Sequence, residues 1–124
     1  MWPKKKVLYI EDNTDSLELM RKVMVIGGYD FLGAPDGQTG LALAQSASPD
    51  LILLDISLPD VDGYELIRRL REDFQSIPIW AITALAAKDD QEKALQAGCS
   101  RYLTKPVDVS ELWRAVAACF PFSD

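Results

Sequence analysis

The chain contains no histidine. That absence excludes Ser-His-Asp and Cys-His nucleophilic catalysis, imidazole metal sites and histidine general bases together. Any phosphohistidine chemistry has to come from a partner. Cysteine is almost as scarce: Cys99 and Cys119 stand far apart and form no CxxC pair. They read as free thiols packed as small apolar side chains in a reducing compartment. No window has the apolar length of a membrane span. No apolar signal stretch with a cleavage site follows the charged start, Met1 to Lys6. A cytoplasmic chain without membrane contact is expected. A basic excess is missing too, since 13 Lys and Arg stand against 19 Asp and Glu, for a net charge of −6. The one basic run, Lys4-Lys5-Lys6, reads as a solvated lead-in, so direct nucleic-acid binding is not expected.

What is present is one ordinary core. The chain has 124 residues, 48% hydrophobic and 26% charged, which reads as a single domain over residues 1–124 without repeat, low-complexity stretch or linker. Strand-like and helix-like patterns alternate five times along it. Val7 to Ile10 is the first apolar run, and Asn13 or Thr14 can cap a helix after it. Leu17, Met20, Val23 and Met24 stripe that helix, and Gly27-Gly28 ends it. Tyr29 to Ala34 is a second strand. A small helix with Leu41, Ala44 and Ala47 on one face follows. Leu51 to Leu54 is apolar at every position, the mark of a strand buried on both faces in a parallel sheet. Leu66, Ile67, Leu70 and Phe74 mark the third helix, and Ile79 to Ile82 the fourth strand. An alanine-rich, weakly amphipathic fourth helix spans about Lys88 to Ala97, and Arg101 to Thr104 is a short fifth strand. Val109, Leu112, Trp113, Val116, Ala117 and Phe120 stripe the last helix. Trp80 and Trp113 read as core or semi-buried packing, and Trp2 as lying outside the strand pattern. Five such units imply an α/β fold with a doubly wound, five-stranded parallel sheet and helices on both faces.

Ligands of such sheets bind at the carboxyl ends of the strands. Polar residues stand at four of those ends: Glu11 and Asp12, Asp55, Thr83, and Lys105. Three carboxylates and one ammonium in a small patch leave uncompensated negative charge, which a divalent cation would cancel. Oxygen-only ligands favour Mg²⁺. With no thiol or imidazole nucleophile, a carboxylate can itself attack phosphorus and form an aspartyl phosphate. Asp55 would be the acceptor, with the metal on one side of the phosphoryl group and Lys105 on the other. Thr83 would donate its hydroxyl to a phosphoryl oxygen.

Over essentially its whole length the chain resembles the receiver domain of two-component response regulators. The resemblance rests on Glu11-Asp12-Asn13, on Leu53-Leu54-Asp55-Ile56 with Leu58-Pro59 and Asp62-Gly63, and on Thr83-Ala84 and Lys105-Pro106. It implies a flavodoxin-like strand order 2-1-3-4-5 and a cis Lys105-Pro106 bond. It implies Mg²⁺ held by Asp12, Asp55 and the backbone carbonyl of Ser57, with Glu11 acting through water. A histidine kinase or histidine phosphotransfer protein would supply the phosphoryl group. The domain would be no enzyme towards other substrates, catalysing only its own phosphorylation and dephosphorylation. Thr83 and Tyr102 occupy the family's switch positions, so that the face of the fourth helix, fifth strand and fifth helix would change shape towards a protein target, with a monomer or a phosphorylation-dependent dimer as the outcome. Leu19 falls off the apolar stripe of the first helix at the end bearing the acids. With Asn13, Ser16 and Pro106 it is the expected contact for a phosphodonor helix. Ser57 and Leu85 fill the family's variable positions that modulate phosphate lifetime.

Other readings fit less well. Small-substrate phosphatases with an aspartyl nucleophile carry a second acid two residues later, where this chain has Ser57. A nucleotide or flavin module would need a glycine-rich loop after the first strand, where Glu11-Asp12 would repel phosphate. A receiver that binds partners without phosphate would have lost an acid, the Thr or the Lys, and none is missing. The alternatives kept open are that phosphate-independent module and a receiver fragment of a hybrid histidine kinase. Met1 close before the first strand favours a stand-alone regulator.

Overall fold

The computed structural model describes residues 3–120, so Trp2 lies outside the described residues. The apolar runs form one parallel sheet of β1 (Lys6–Ile10), β2 (Asp30–Ala34), β3 (Leu51–Leu54), β4 (Ile79–Thr83) and β5 (Arg101–Thr104). Its order is β2-β1-β3-β4-β5, the expected one. β3, buried at every position, lies between β1 and β4, with Ile10 opposite Leu54 and Leu54 opposite Ala81. Parallel strands covered on both faces need apolar side chains in both directions, hence the unbroken Leu-Ile-Leu-Leu run.

Five helices connect the strands: α1 (Thr14–Ile26), α2 (Gly37–Ala47), α3 (Gly63–Asp73), α4 (Lys88–Ala97) and α5 (Val109–Cys119). Alternation along each strand divides the core in two. Val7, Tyr9, Leu51, Leu53, Trp80 and Ile82 pack with α1 and α5 through Met20, Val23, Met24, Leu112 and Val116. Leu8, Ile10, Ile52, Leu54, Ile79 and Ala81 face α2, α3 and α4. Gly40 lets α2 lie close on the sheet, because a Cβ there would come within 2.5 Å of Ile10 Cδ1.

Three details differ from the periodicity. β2 begins at Asp30, because the Tyr29 amide is used to end α1: it donates to the Met24 carbonyl while Gly28, at φ +93°, donates to Val25. In α2 only Ala44 of the expected face is fully buried, joined by Gly37 and Gly40, with Leu41 and Ala47 at its margins. In α5 the inner face is Leu112 and Val116, flanked by Ala115 and Cys119, and Val109, Trp113 and Ala117 are exposed. α5 leans on α1 here, and the Trp113 indole N–H reaches sideways to the Val23 carbonyl at 3.0 Å. Trp80 is 2% exposed and lies in the core.

Four helices start on a side-chain cap: Asn13 for α1, Asp36 for α2, Asp62 for α3 and Asp108 for α5. α4 starts at Ala87 without one and buries only Ala94 and Ala97.

Candidate functional site

The strand ends bring three side chains together, Glu11, Asp55 and Lys105, with Thr83 at the end of the neighbouring β4. Glu11 leaves β1 with its amide bonded to the Ala34 carbonyl at 2.9 Å, and Asp55 leaves β3 with its amide on the Ile10 carbonyl at 3.0 Å. The backbone of Lys105 is held at the end of β4, its amide donating to the Thr83 carbonyl at 2.9 Å. These bonds extend the sheet ladder one residue beyond the strands. They make the positions of the carboxylates and the lysine a consequence of strand register.

Glu11, Asp55 and Thr83 are the buried polar residues of the described chain. Buried carboxylates need donors and counter-charge. Lys105 supplies both: its Nζ donates to Asp55 Oδ2 at 2.8 Å and to Glu11 Oε1 at 2.5 Å. Burial opposes the lysine's charge, but the hydrogen bonds and charges of Asp55 and Glu11 overcome that and raise its pKa above the ordinary 10.5. The lysine is therefore a fixed ammonium at neutral pH. Asp55 Oδ1 accepts from the Ser57 amide at 3.0 Å, which turns the loop after β3 around the carboxylate. The same loop is pressed against the start of α3, where a Cβ on Gly63 would come within 2.4 Å of the Ile56 carbonyl oxygen, so glycine is required there.

Asp12 is exposed, and its carboxylate takes part in no hydrogen bond among the described residues. Among those residues no three acidic or thiol side chains form a ready-made cation cage. Glu11 and Asp55 are instead joined through the lysine. Carboxylates of which one is uncommitted, with no nitrogen or sulfur ligand beside them, suit a hard cation that keeps part of its water shell.

Thr83 is fully buried, and the Leu85 amide makes a long contact of 3.4 Å to its Oγ1. Tyr102 donates to the Leu85 carbonyl at 2.5 Å, so both expected switch residues converge on the β4–α4 loop. Burial first, then the charges of Asp90, Cys99 and Asp55, raise the Tyr102 pKa and keep its hydroxyl a donor. Leu85 is thus contacted through its amide by Thr83 and through its carbonyl by Tyr102.

The expected partner-contact residues are not all used alike. Ser16, Leu19 and Pro106 line one groove of about 430 Å³ between α1 and the β5–α5 connection, with Lys105 at one wall. Leu19 is 60% exposed there. Asn13 is not part of the lining, and its side-chain oxygen caps α1 by accepting from the Ser16 amide at 2.8 Å. The Lys105-Pro106 bond is cis.

Two tyrosines at the site escape a pattern-based reading. The Tyr9 hydroxyl donates to Glu11 Oε1 at 3.0 Å, inside the core. The Tyr64 hydroxyl donates to Asp90 on α4 at 3.0 Å. Burial, reinforced by that bond, raises the Tyr64 pKa to about 12. Tyr9 alternates correctly for a core position, and Tyr64 lies 26 residues from its partner, so no local signal marks either.

Comparison with known proteins decides the family. The family model for the response regulator receiver domain matches residues 7–117. The chain belongs to the response regulator receiver family. It is 40% identical over 107 residues to the polar-differentiation response regulator DivK of Brucella anthropi, covering 85% of this chain and 87% of that one. DivK of Brucella ovis matches with the same identity and coverage. Among solved structures, a CheY-like receiver domain protein from Methanospirillum hungatei superposes with a TM-score of 0.90 at 27% identity, over 94% of this chain and 93% of that chain. A two-component response regulator from Clostridium difficile gives 0.91 at 27% identity, over 94% and 95%. Phosphorylation-based signalling is the function of this receiver family, and no described helix is long and apolar enough to cross a membrane.

Proposed function

We propose that this receiver takes a phosphoryl group onto Asp55 from a phosphohistidine of a histidine kinase or histidine phosphotransfer protein, in a Mg²⁺-dependent step. An Asp55 oxygen bonds to phosphorus as the bond to the donor nitrogen breaks, and that electron pair leaves with the partner's imidazole. The observation that carries this reading is the Lys105 ammonium shared between Asp55 and Glu11, a counter-charge set against the acceptor oxygen. Asp12, Asp55 and the Ser57 carbonyl would hold Mg²⁺, with Glu11 reaching it through water, and the cation supplies neutralisation of the phosphoryl oxygens. Lys105 moves from the carboxylates to a phosphoryl oxygen, and the Thr83 hydroxyl donates to another. As Thr83 is drawn in, its contact with Leu85 loosens, Tyr102 turns inward, and the face of α4, β5 and α5 changes for a protein target, with or without dimer formation.

The chain then acts on no substrate but itself, promoting its own phosphorylation and dephosphorylation. The groove holding Ser16, Leu19 and Pro106 beside Lys105 is where a donor helix reaches the pocket. The cytoplasm is the proposed compartment, since the donor proteins present their phosphohistidines there.

Intact mass after incubation with a small acyl-phosphate donor tests the reading. One added phosphate that requires both Mg²⁺ and Asp55 is expected, and Asp55→Asn abolishes it. Uptake by Asp55→Asn equal to wild type would refute the assignment. No uptake by folded wild-type protein would leave the phosphate-independent partner module as the better reading.

A further inference from the structure

Glu11 is 1% exposed, and its carboxylate is held by three donors: the Tyr9 hydroxyl at 3.0 Å, the Asn13 amide at 3.2 Å and Lys105 Nζ at 2.5 Å. Two of them, Tyr9 and Lys105, share the single oxygen Oε1. Lys105 also serves Asp55, and in the reading above it leaves for a phosphoryl group. Oε1 then keeps one protein donor, the Tyr9 hydroxyl. A carboxylate this deeply buried is expensive to leave without a donor. Tyr9 itself cannot drift: it is 2% exposed, it stands two residues before Glu11 on the same face of β1, and its ring packs with α1 and α5. That ring also forms part of the wall of the groove beside Lys105.

We propose that Tyr9 is a positioning residue of the phosphoacceptor pocket: its buried hydroxyl fixes Glu11 in the orientation that serves the cation and frees Lys105 to move. Without it, Glu11 Oε1 depends on Lys105 alone, and the two hold each other in a closed pair. That pair works against the cation and against the lysine's transfer to a phosphoryl oxygen. The lysine's departure rests on the reading of Asp55 as acceptor. The orientation of Glu11 towards the cation does not require phosphate.

The test uses the unphosphorylated full chain and the affinity for Mg²⁺, measured by isothermal titration for wild type, Tyr9→Phe, Glu11→Gln and the double variant. Tyr9→Phe keeps the ring and removes one oxygen, and a cooperative thermal melt checks its fold. A loss of about tenfold in Mg²⁺ affinity is expected for Tyr9→Phe, in line with one hydrogen bond to a charged group. Tyr9→Met, a second variant without the hydroxyl, should show a similar loss. In the Glu11→Gln background, Tyr9→Phe should add nothing, because both act through one contact. Wild-type affinity in Tyr9→Phe, or losses that simply multiply in the double variant, would reduce Tyr9 to a packing residue. These outcomes are separate from phosphate uptake: wild type that binds Mg²⁺ but takes no phosphate refutes the acceptor reading alone, and normal uptake with unchanged affinity in Tyr9→Phe refutes the Tyr9 assignment alone.

Discussion

The two helices that flank the pocket start in different ways. α1 begins directly after Glu11 and Asp12, and its own Asn13 caps it, with Met20, Val23 and Met24 anchoring it to the sheet. α4 begins after Thr83 without a cap, buries two alanines, and carries its only first-turn help as Asp89 and Asp90. What holds its start comes from elsewhere: Tyr102 on β5 bonds the Leu85 carbonyl, and Tyr64 on α3 bonds Asp90. Its far end is fastened firmly, because Arg71 donates twice to the Gly98 carbonyl, at 3.0 and 2.7 Å, and also to Phe74 and Ile77. A helix secured by its own sequence stays where it is. One secured at one end, and held at the other by side chains from neighbouring elements, moves when those side chains move. The contrast is the one the proposed switch requires, with α1 as a fixed platform and α4 as the responding element.

That contrast can be broken or sharpened by substitution. The largest effect is expected at the fastened end: Arg71→Ala leaves three carbonyl partners short of donors and should cost about 2 kcal/mol in chemical denaturation. Asn13→Ala removes the α1 cap and should cost about 1 kcal/mol. The reverse change on α4, Ala87→Ser, supplies the missing cap and should stabilise by roughly 0.5 kcal/mol, with slower amide exchange in the first turn of α4. Destabilisation by Ala87→Ser would show that the start of α4 is held in a conformation no cap can join. Smallest in global stability is Tyr64→Phe, expected below about 0.5 kcal/mol for one part-exposed hydrogen bond, with faster exchange confined to the start of α4. Exchange rising equally in α1 would remove the distinction between the two helices.

The lysine adds a pH dependence of known sign. Its folded pKa is raised, so its contribution to stability is full at neutral pH and fades as pH climbs through the alkaline range past the folded value. The stability difference between wild type and Lys105→Gln should therefore be constant near neutrality and close at high pH. A difference that widened with alkalinity would contradict the ion pair.

Most of the fold is legible in the sequence, as is the meeting of Glu11, Asp55 and Lys105, because the apolar runs of β1 and β3 stop at the residues they deliver. Ile10 gives way to Glu11 and Leu54 to Asp55, and strand register then brings these ends together without any help from loop detail. The inner face of α5 was not legible, since Trp113 looks like a core residue until its indole is seen bonded to the end of α1. Asn13 carries two expectations, a cap for α1 and a partner contact, and the cap is the one observed, its side-chain oxygen accepting from the Ser16 amide. Tyr9 and Tyr64 were invisible for a different reason: a hydroxyl inside an apolar pattern does not disturb the pattern. What it bonds to is fixed by packing.

The most direct test is residue-resolved amide hydrogen exchange on the protein before and after phosphorylation by a small acyl-phosphate donor in Mg²⁺. Altered exchange across Thr83 to Asp90 and around Tyr102, with the first turn of α1 unchanged and no response in Asp55→Asn, is the predicted result. Equal change in α1 and α4, or no change at Leu85 and Tyr102 in fully phosphorylated protein, would contradict it.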